Sequence, residues 1–137
     1  MKKDIGTITS LLFSFNQKLK EAFGKNTNET IPSMVQMRVL YFVSIRKNPS
    51  MKDVSEYFCI SSPSATEMIE RLIKAGFLTR KSNLDDRRSV NIAITPKGKK
   101  ELNIAKSITE KFISKSVSSL SKKELGSFLE ILRKINN

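Results

Sequence analysis

The chain has 137 residues, a length that suits one domain and is short for two. Its 25 Lys and Arg residues outnumber 13 Asp and Glu residues, and the net charge of +12 favours a polyanionic partner, either nucleic acid or an acidic membrane face. Cys59 is the only cysteine, which excludes a disulfide framework within one chain. Histidine is absent, so a Cys/His zinc site lacks its ligands, and we expect no metal and no cofactor. Without an apolar run of about 18 residues or a secretory signal pattern, a cytoplasmic protein with no membrane span is expected.

The chain before Pro49 predicts two helices. Apolar residues that step by three and four predict an amphipathic helix from Asp4 to Phe23, which Gly24 ends. A second helix is predicted to have Pro32 in its first turn, where the missing N–H costs little. Because apolar residues cover much of its girth, we expect this second helix to be central and buried.

A short helix, a turn and a second capped helix follow. The pattern predicts a helix from Met51 to Phe58, a turn in which Cys59 is a small buried residue, and a helix that runs to about Ala75. Ser62 is the expected N-cap with a proline behind it, although Ser64 and the glutamate three residues later also have the spacing of a capping box. A short helix, tight turn and capped helix have the form of a helix-turn-helix.

Two strands are predicted next, from Phe77 to Lys81 and from Val90 to Ile94, joined by a charged segment at 82–89. A helix from Pro96 to about Leu120 and a last helix capped by a box at residues 121–124 complete the chain. The expected fold is mainly α with a small β-hairpin wing. We predict one domain over 1–137, with a winged helix-turn-helix lobe at 32–95 and dimerisation helices at 1–24 and 96–137.

The second helix of a helix-turn-helix lies in the major groove of DNA, where its N-terminal side chains reach base edges. Short hydroxyl side chains suit that approach, basic side chains further along suit the phosphate backbone, and arginines at a hairpin tip suit the minor groove. The residues predicted on these grounds to contact DNA are Ser61, Ser62, Ser64, Thr66, Glu67, Arg71, Lys74, Lys81, Arg87 and Arg88.

The stretch from Met51 to Gly98 resembles the MarR family of bacterial and archaeal regulators. Residues 52–61 look like the family's helix entering the turn, and residues 64–80 look like its recognition helix and first wing strand. Residues 86–98 are similar to its wing signature, an Asp-x-Arg followed by an apolar strand and Thr-x-x-Gly. The order of the helices outside this stretch agrees, so the resemblance covers nearly the whole chain.

The resemblance implies a homodimer in which the terminal helices of two chains interlock. It also implies that Arg88 reaches into the minor groove and that Asp86 orients the wing tip by pairing with it, the alternative being a simple exposed ion pair. The residues expected to dimerise are Ile5, Ile8, Leu12, Phe15, Leu125, Phe128, Leu129 and Leu132.

Family members often bind small aromatic or phenolic effectors, and the residues that could line such a pocket, unless they are ordinary core, are Phe13, Met34, Met37 and Tyr41. Many relatives carry a basic residue in place of Glu67, whose carboxylate repels phosphate but can accept a hydrogen bond from cytosine N4.

Taken together, these features predict a homodimeric, sequence-specific regulator of transcription on a palindromic operator, a repressor that a small ligand releases. The alternative is a related interaction module that has lost operator binding. An enzyme is disfavoured because no nucleophile–base pair or Gly-rich phosphate loop is present.

Overall fold

The computed structural model describes residues 1–25, 33–82 and 90–137. Within these ranges the chain forms six helices and one two-stranded antiparallel sheet, which confirms the predicted winged helix-turn-helix class. The elements in chain order are α1 (Lys2–Gly24), α2 (Met34–Arg46), α3 (Met51–Phe58), α4 (Ser62–Lys74), β1 (Leu78–Ser82), β2 (Val90–Ile94), α5 (Pro96–Val117) and α6 (Lys122–Ile135). None of these helices has both the length and the apolar character needed to cross a membrane.

Serine side chains fix where several of the helices begin. Ser33, Ser50 and Ser121 each form a capping box with the residue three positions later, which satisfies backbone N–H groups that a helix start leaves unpaired. The box at Ser121 confirms the predicted start of the last helix. The second helix begins at Met34, behind the Ser33 cap. Pro32, predicted in its first turn, lies outside the described residues.

The cap of α4 is Ser61, one residue before the expected Ser62. The Ser61 hydroxyl accepts a hydrogen bond from the Ser64 N–H at 3.2 Å, and Pro63 stands in the first turn. The alternative box between Ser64 and Glu67 does not form, because α4 begins at Ser62 and Ser64 therefore lies inside the helix. The Glu67 carboxylate pairs with Arg71 instead.

The two strands confirm the predicted hairpin, with a shift of one residue in the first strand. Leu78 pairs with Ile94 and Ser82 with Val90. Phe77 is not part of the ladder, because its N–H donates to the Leu72 carbonyl and thereby closes the corner after α4. The hairpin tip, residues 83–89, lies outside the described residues.

A hydrogen-bonded joint fastens the start of α5 to the corner between α4 and β1. The Thr95 hydroxyl donates to the Gly76 carbonyl at 2.6 Å and accepts from the Gly98 N–H at 3.0 Å. A Cβ atom on Gly98 would lie 2.2 Å from the Phe77 carbonyl oxygen, so only glycine fits there. The Thr-x-x-Gly part of the wing signature is therefore a structural joint that holds the hairpin against the next helix.

The chain divides into two compact units, and the core lies in the one formed by Phe23–Lys106. Its fully buried side chains are Val39, Leu40, Phe42, Val43, Val54, Ile69, Leu72, Leu78 and Ile92. The prediction that α2 is central and buried holds for one side of the helix, but Val35 is 55% and Ile45 is 52% exposed on another.

The other unit, Met1–Ala22 with Ser107–Asn137, contains no buried residue. Its internal packing includes the Phe15 and Phe112 rings, whose centroids are 5.1 Å apart. The side chains of α1 and α6 expected at a dimer interface are half-buried or exposed in the single chain. They are Ile5, Ile8, Leu12, Phe15, Leu125, Phe128, Leu129 and Leu132. This unit therefore carries an apolar surface without a core of its own.

The capping box of α3 gives the fold a measurable acid dependence. Hydrogen bonds from the Ser50 backbone and side chain, with the nearby Arg46 guanidinium, lower the pKa of Asp53 below its ordinary value of 3.8. Its carboxylate therefore stabilises the folded state above that value, and the contribution is lost as the pH falls through the lower folded pKa.

Asp53→Asn should consequently cost about 0.5 kcal/mol near neutral pH, and the difference from wild type should shrink in acid. Urea denaturation at about pH 7 and about pH 3 measures both differences. A difference that stays constant between these two conditions would contradict the assignment.

Candidate nucleic-acid interface

Helix α4 separates cleanly into a buried and an exposed side. Ala65, Ile69 and Leu72 are buried, with α3 packed beside the helix. The residues predicted to face DNA are all exposed, namely Ser61, Ser62, Ser64, Thr66, Glu67, Arg71 and Lys74. Burial of one side thus fixes which side chains the helix can offer to a partner.

The hydroxyl groups on the exposed side differ in what they already bind. The Ser61 and Ser64 hydroxyls are 2.9 Å apart, and the Thr66 hydroxyl donates to the Ser62 carbonyl at 2.9 Å. Among the described residues, the Ser62 hydroxyl has no hydrogen-bond partner. Ser62 can therefore both donate to and accept from DNA, while Ser64 can still donate its proton and Thr66 can still accept a bond without giving up an internal one.

Two ion pairs organise the charges of α4. Glu67 pairs with Arg71 along the helix, and Glu70 pairs with Arg80 of β1. The second pair joins the recognition helix to the wing, and it was missed by the sequence reasoning. Strand alternation was the available signal, because Arg80 lies two residues after the buried Leu78 and so shares its face.

Three further lysines lie near the end of α4 and the hairpin, and they differ in what they contact. Lys74 and Lys81 are exposed, as expected of phosphate contacts. The Lys97 ammonium donates to the Ala75 carbonyl at 2.9 Å and lies 5.2 Å from the centre of the Phe77 ring, which the sequence did not suggest. Lys97 is thus partly engaged in closing the end of α4. The expected wing residues Asp86, Arg87 and Arg88 lie outside the described residues.

The expectation that Cys59 is buried is wrong. Cys59 is exposed and follows α3 with a φ of 52°, in the left-handed region, and its N–H donates to the Glu56 carbonyl. A residue in this position turns the chain out of the helix, and its side chain points away from the core as a consequence. The thiol is therefore part of the turn surface of the helix-turn-helix.

The proposed effector residues occupy different environments. Phe13 is 71% exposed on α1, whereas on α2 Met37 is buried, Met34 is half-buried and Tyr41 is exposed. The Lys106 ammonium lies 5.6 Å from the centre of the Tyr41 ring.

A separate groove of about 220 Å³ lies beside the exposed side of α4. It is lined by Ser33, Val35, Gln36, Ser64, Glu67, Met68 and Arg71. The Glu67–Arg71 pair therefore borders open space. Within the described ranges, no group of three or more acidic or cysteine side chains could hold a metal ion.

Comparison with known proteins places this arrangement in a family. The family model described as the MarR family matches residues 33–90. The HTH-type transcriptional regulator SarZ of Staphylococcus saprophyticus is 30% identical over 118 residues, which cover 81% of this chain and 81% of that protein. The HTH-type transcriptional regulator BilQ of Clostridioides difficile is 30% identical over 99 residues, covering 70% of this chain and 67% of that protein.

Solved structures agree on the fold. A mutant MarR from E. coli, crystallised with operator DNA, has a TM-score of 0.75 at 18% identity and covers 98% of this chain and 97% of its own. Bordetella bronchiseptica BpsR, whose DNA binding is regulated by 6-hydroxynicotinic acid, has a TM-score of 0.73 at 22% identity, with 96% and 99% coverage. The chain belongs to the MarR family, and it is a transcriptional regulator built on a DNA-binding winged helix-turn-helix rather than an enzyme.

Proposed function

We propose that the protein is a homodimeric repressor that binds a palindromic operator in double-stranded DNA. The observation that carries this proposal is the exposed side of α4, on which hydroxyl, basic and paired charged groups lie over a buried apolar underside. A recognition helix needs this division, because it must be held rigidly while its polar side chains enter the major groove.

The homodimer is supported by the unit formed by Met1–Ala22 and Ser107–Asn137. It has no buried residue, while Ile5 is 58%, Leu12 58% and Phe128 42% exposed. Isolated exposed apolar residues are common, but several on the same two helices mark an interaction surface. A second copy of the chain would cover them, and its two-fold symmetry would require a palindromic site.

Release by a small aromatic ligand is the regulatory part of the proposal. The regulation of BpsR by 6-hydroxynicotinic acid gives a precedent among structures with this fold. The half-buried Met34 and the exposed Tyr41 are the α2 side chains that we expect such a ligand to contact.

A mobility-shift titration with the promoter region upstream of the gene tests the function. We expect tight binding at about 50 mM salt and a steep loss at about 200 mM, because phosphate contacts release counterions. Absence of binding at the lower salt concentration would reject the repressor and favour the interaction module. The acidic Glu67 is the main argument for the interaction module, and the pairing of its carboxylate with Arg71 weakens that argument.

Arg88→Ala should weaken operator binding by about 1–3 kcal/mol, because an arginine in the minor groove loses its contacts when truncated. Fluorescence anisotropy with a labelled operator measures this difference. Arg133→Ala, at the end of α6, removes the same charge outside the proposed interface and should leave the affinity nearly unchanged. Equal affinities of Arg88→Ala and wild type would remove Arg88 from the interface.

A further inference from the structure

We propose that Glu67 selects a cytosine in each half of the operator, with Arg71 holding its carboxylate in place. This inference rests on the proposed function and deepens it, since it names a base that the recognition helix reads. It concerns one side chain on the exposed side of α4, and it explains why an acidic residue can stand where the surface must approach a polyanion.

The position of Glu67 suits contact with a base edge. It lies in the second turn of α4, on the same side as Ser64, and its side chain is 65% exposed. Residues in the N-terminal part of a recognition helix are the ones that reach base edges. The groove bordered by Ser33, Gln36 and Ser64 leaves open space beside the carboxylate.

The ion pair with Arg71 compensates the negative charge of the Glu67 carboxylate at this surface. Uncompensated, Glu67 would repel the phosphates that flank the major groove, whereas the adjacent guanidinium neutralises it. The guanidinium contacts one carboxylate oxygen, Oε1. Within the described part of the chain the second oxygen, Oε2, has no hydrogen-bond partner, so it can accept a bond from DNA.

The chemistry of the carboxylate decides which base it accepts. An ionised carboxylate only accepts hydrogen bonds. In the major groove guanine presents the acceptors N7 and O6, thymine presents O4 beside a methyl group, and adenine presents its N6 donor next to the acceptor N7. Cytosine N4 has an acceptor on one side, the O6 of the paired guanine, whereas adenine N6 lies between two acceptors, its own N7 and the thymine O4. Cytosine is therefore the base that a carboxylate contacts with the least repulsion.

Glu67→Gln turns this assignment into a change of specificity. Glutamine has both a donor and an acceptor and pairs with adenine N6 and N7. We expect wild type to bind the selected operator about tenfold more tightly than a version with adenine at one position in each half-site, and Glu67→Gln to reverse that order. Selection of bound sequences from a random duplex library identifies the position, and anisotropy with the two duplexes measures the preference.

Two controls separate base reading from a structural role. Glu130→Gln makes the same change on α6 and should select the wild-type operator. Glu67→Ala should bind the cytosine and adenine duplexes with similar affinity, whereas loss of an ion pair that merely supports the helix would weaken both without changing their order. If Glu67→Gln selects the same sequence as wild type, Glu67 does not read a base, whereas the proposed function as an operator-binding regulator is unaffected. If wild type itself selects no sequence, the proposed function fails, and this inference fails with it.

Discussion

Replacing Gly98 by alanine is expected to lower the free energy of unfolding by about 3 kcal/mol. The added Cβ would lie 2.2 Å from the Phe77 carbonyl oxygen and 2.8 Å from Ile94 Cγ1. Neither atom can move freely, because Phe77 accepts the Thr95 N–H at 3.0 Å and Ile94 pairs with Leu78 in the hairpin. Urea denaturation measures the change.

Gly126→Ala is the matched control for Gly98→Ala. Gly126 lies within α6, and a Cβ there would meet nothing within 4 Å. Alanine should therefore raise stability by about 0.5–1 kcal/mol, since glycine in a helix interior is the less favourable residue. Equal stabilities of Gly98→Ala and wild type would show that the joint between α5 and the hairpin is looser than its geometry implies.

Leu12→Asp is expected to convert the protein from dimer to monomer at micromolar concentration. Burying an unpaired carboxylate in an apolar interface costs about 3–5 kcal/mol, which raises the dissociation constant at least about 100-fold. Operator affinity should fall with it, because a monomer contacts only one half-site. Analytical ultracentrifugation of wild type and variant measures the first effect, and operator anisotropy measures the second.

Ser14→Asp places the same charge on the opposite side of α1, about 200° around the helix, and should leave the dimer intact. Circular dichroism should show a folded Leu12→Asp protein, since the core of the Phe23–Lys106 unit contains no part of this surface. A Leu12→Asp protein that remains dimeric would move the interface away from α1.

Much of the fold could be predicted because its signals are local. Apolar spacing gave α3 its observed bounds, Met51–Phe58, and the serine–glutamate spacing gave the cap of α6. The cap of α4 was displaced by one residue because several neighbouring serines can cap, and only the hydrogen bond to the Ser64 N–H distinguishes Ser61. The exposure of Cys59 was not predicted, because non-glycine residues rarely adopt the left-handed backbone geometry that Cys59 has, and its residue type does not indicate it.

The site was less accessible to sequence reasoning, because its charges are organised by tertiary structure. The residues of α4 that face outward follow from helical periodicity. Strand alternation assigns Arg80 to the face of Leu78, but its pair with Glu70 also requires the hairpin to fold back beside the helix, which alternation does not specify.

Hydroxyl-radical footprinting of wild type on its selected operator tests the central claim most directly. Two winged helices related by two-fold symmetry should protect two patches whose centres are about 10 base pairs apart, or a multiple of that spacing, with protection mirrored between the strands. Each patch should be flanked by a protected minor-groove segment where the wing contacts DNA. A single asymmetric patch, or uniform protection that disappears at about 200 mM salt, would contradict a dimeric, sequence-specific regulator.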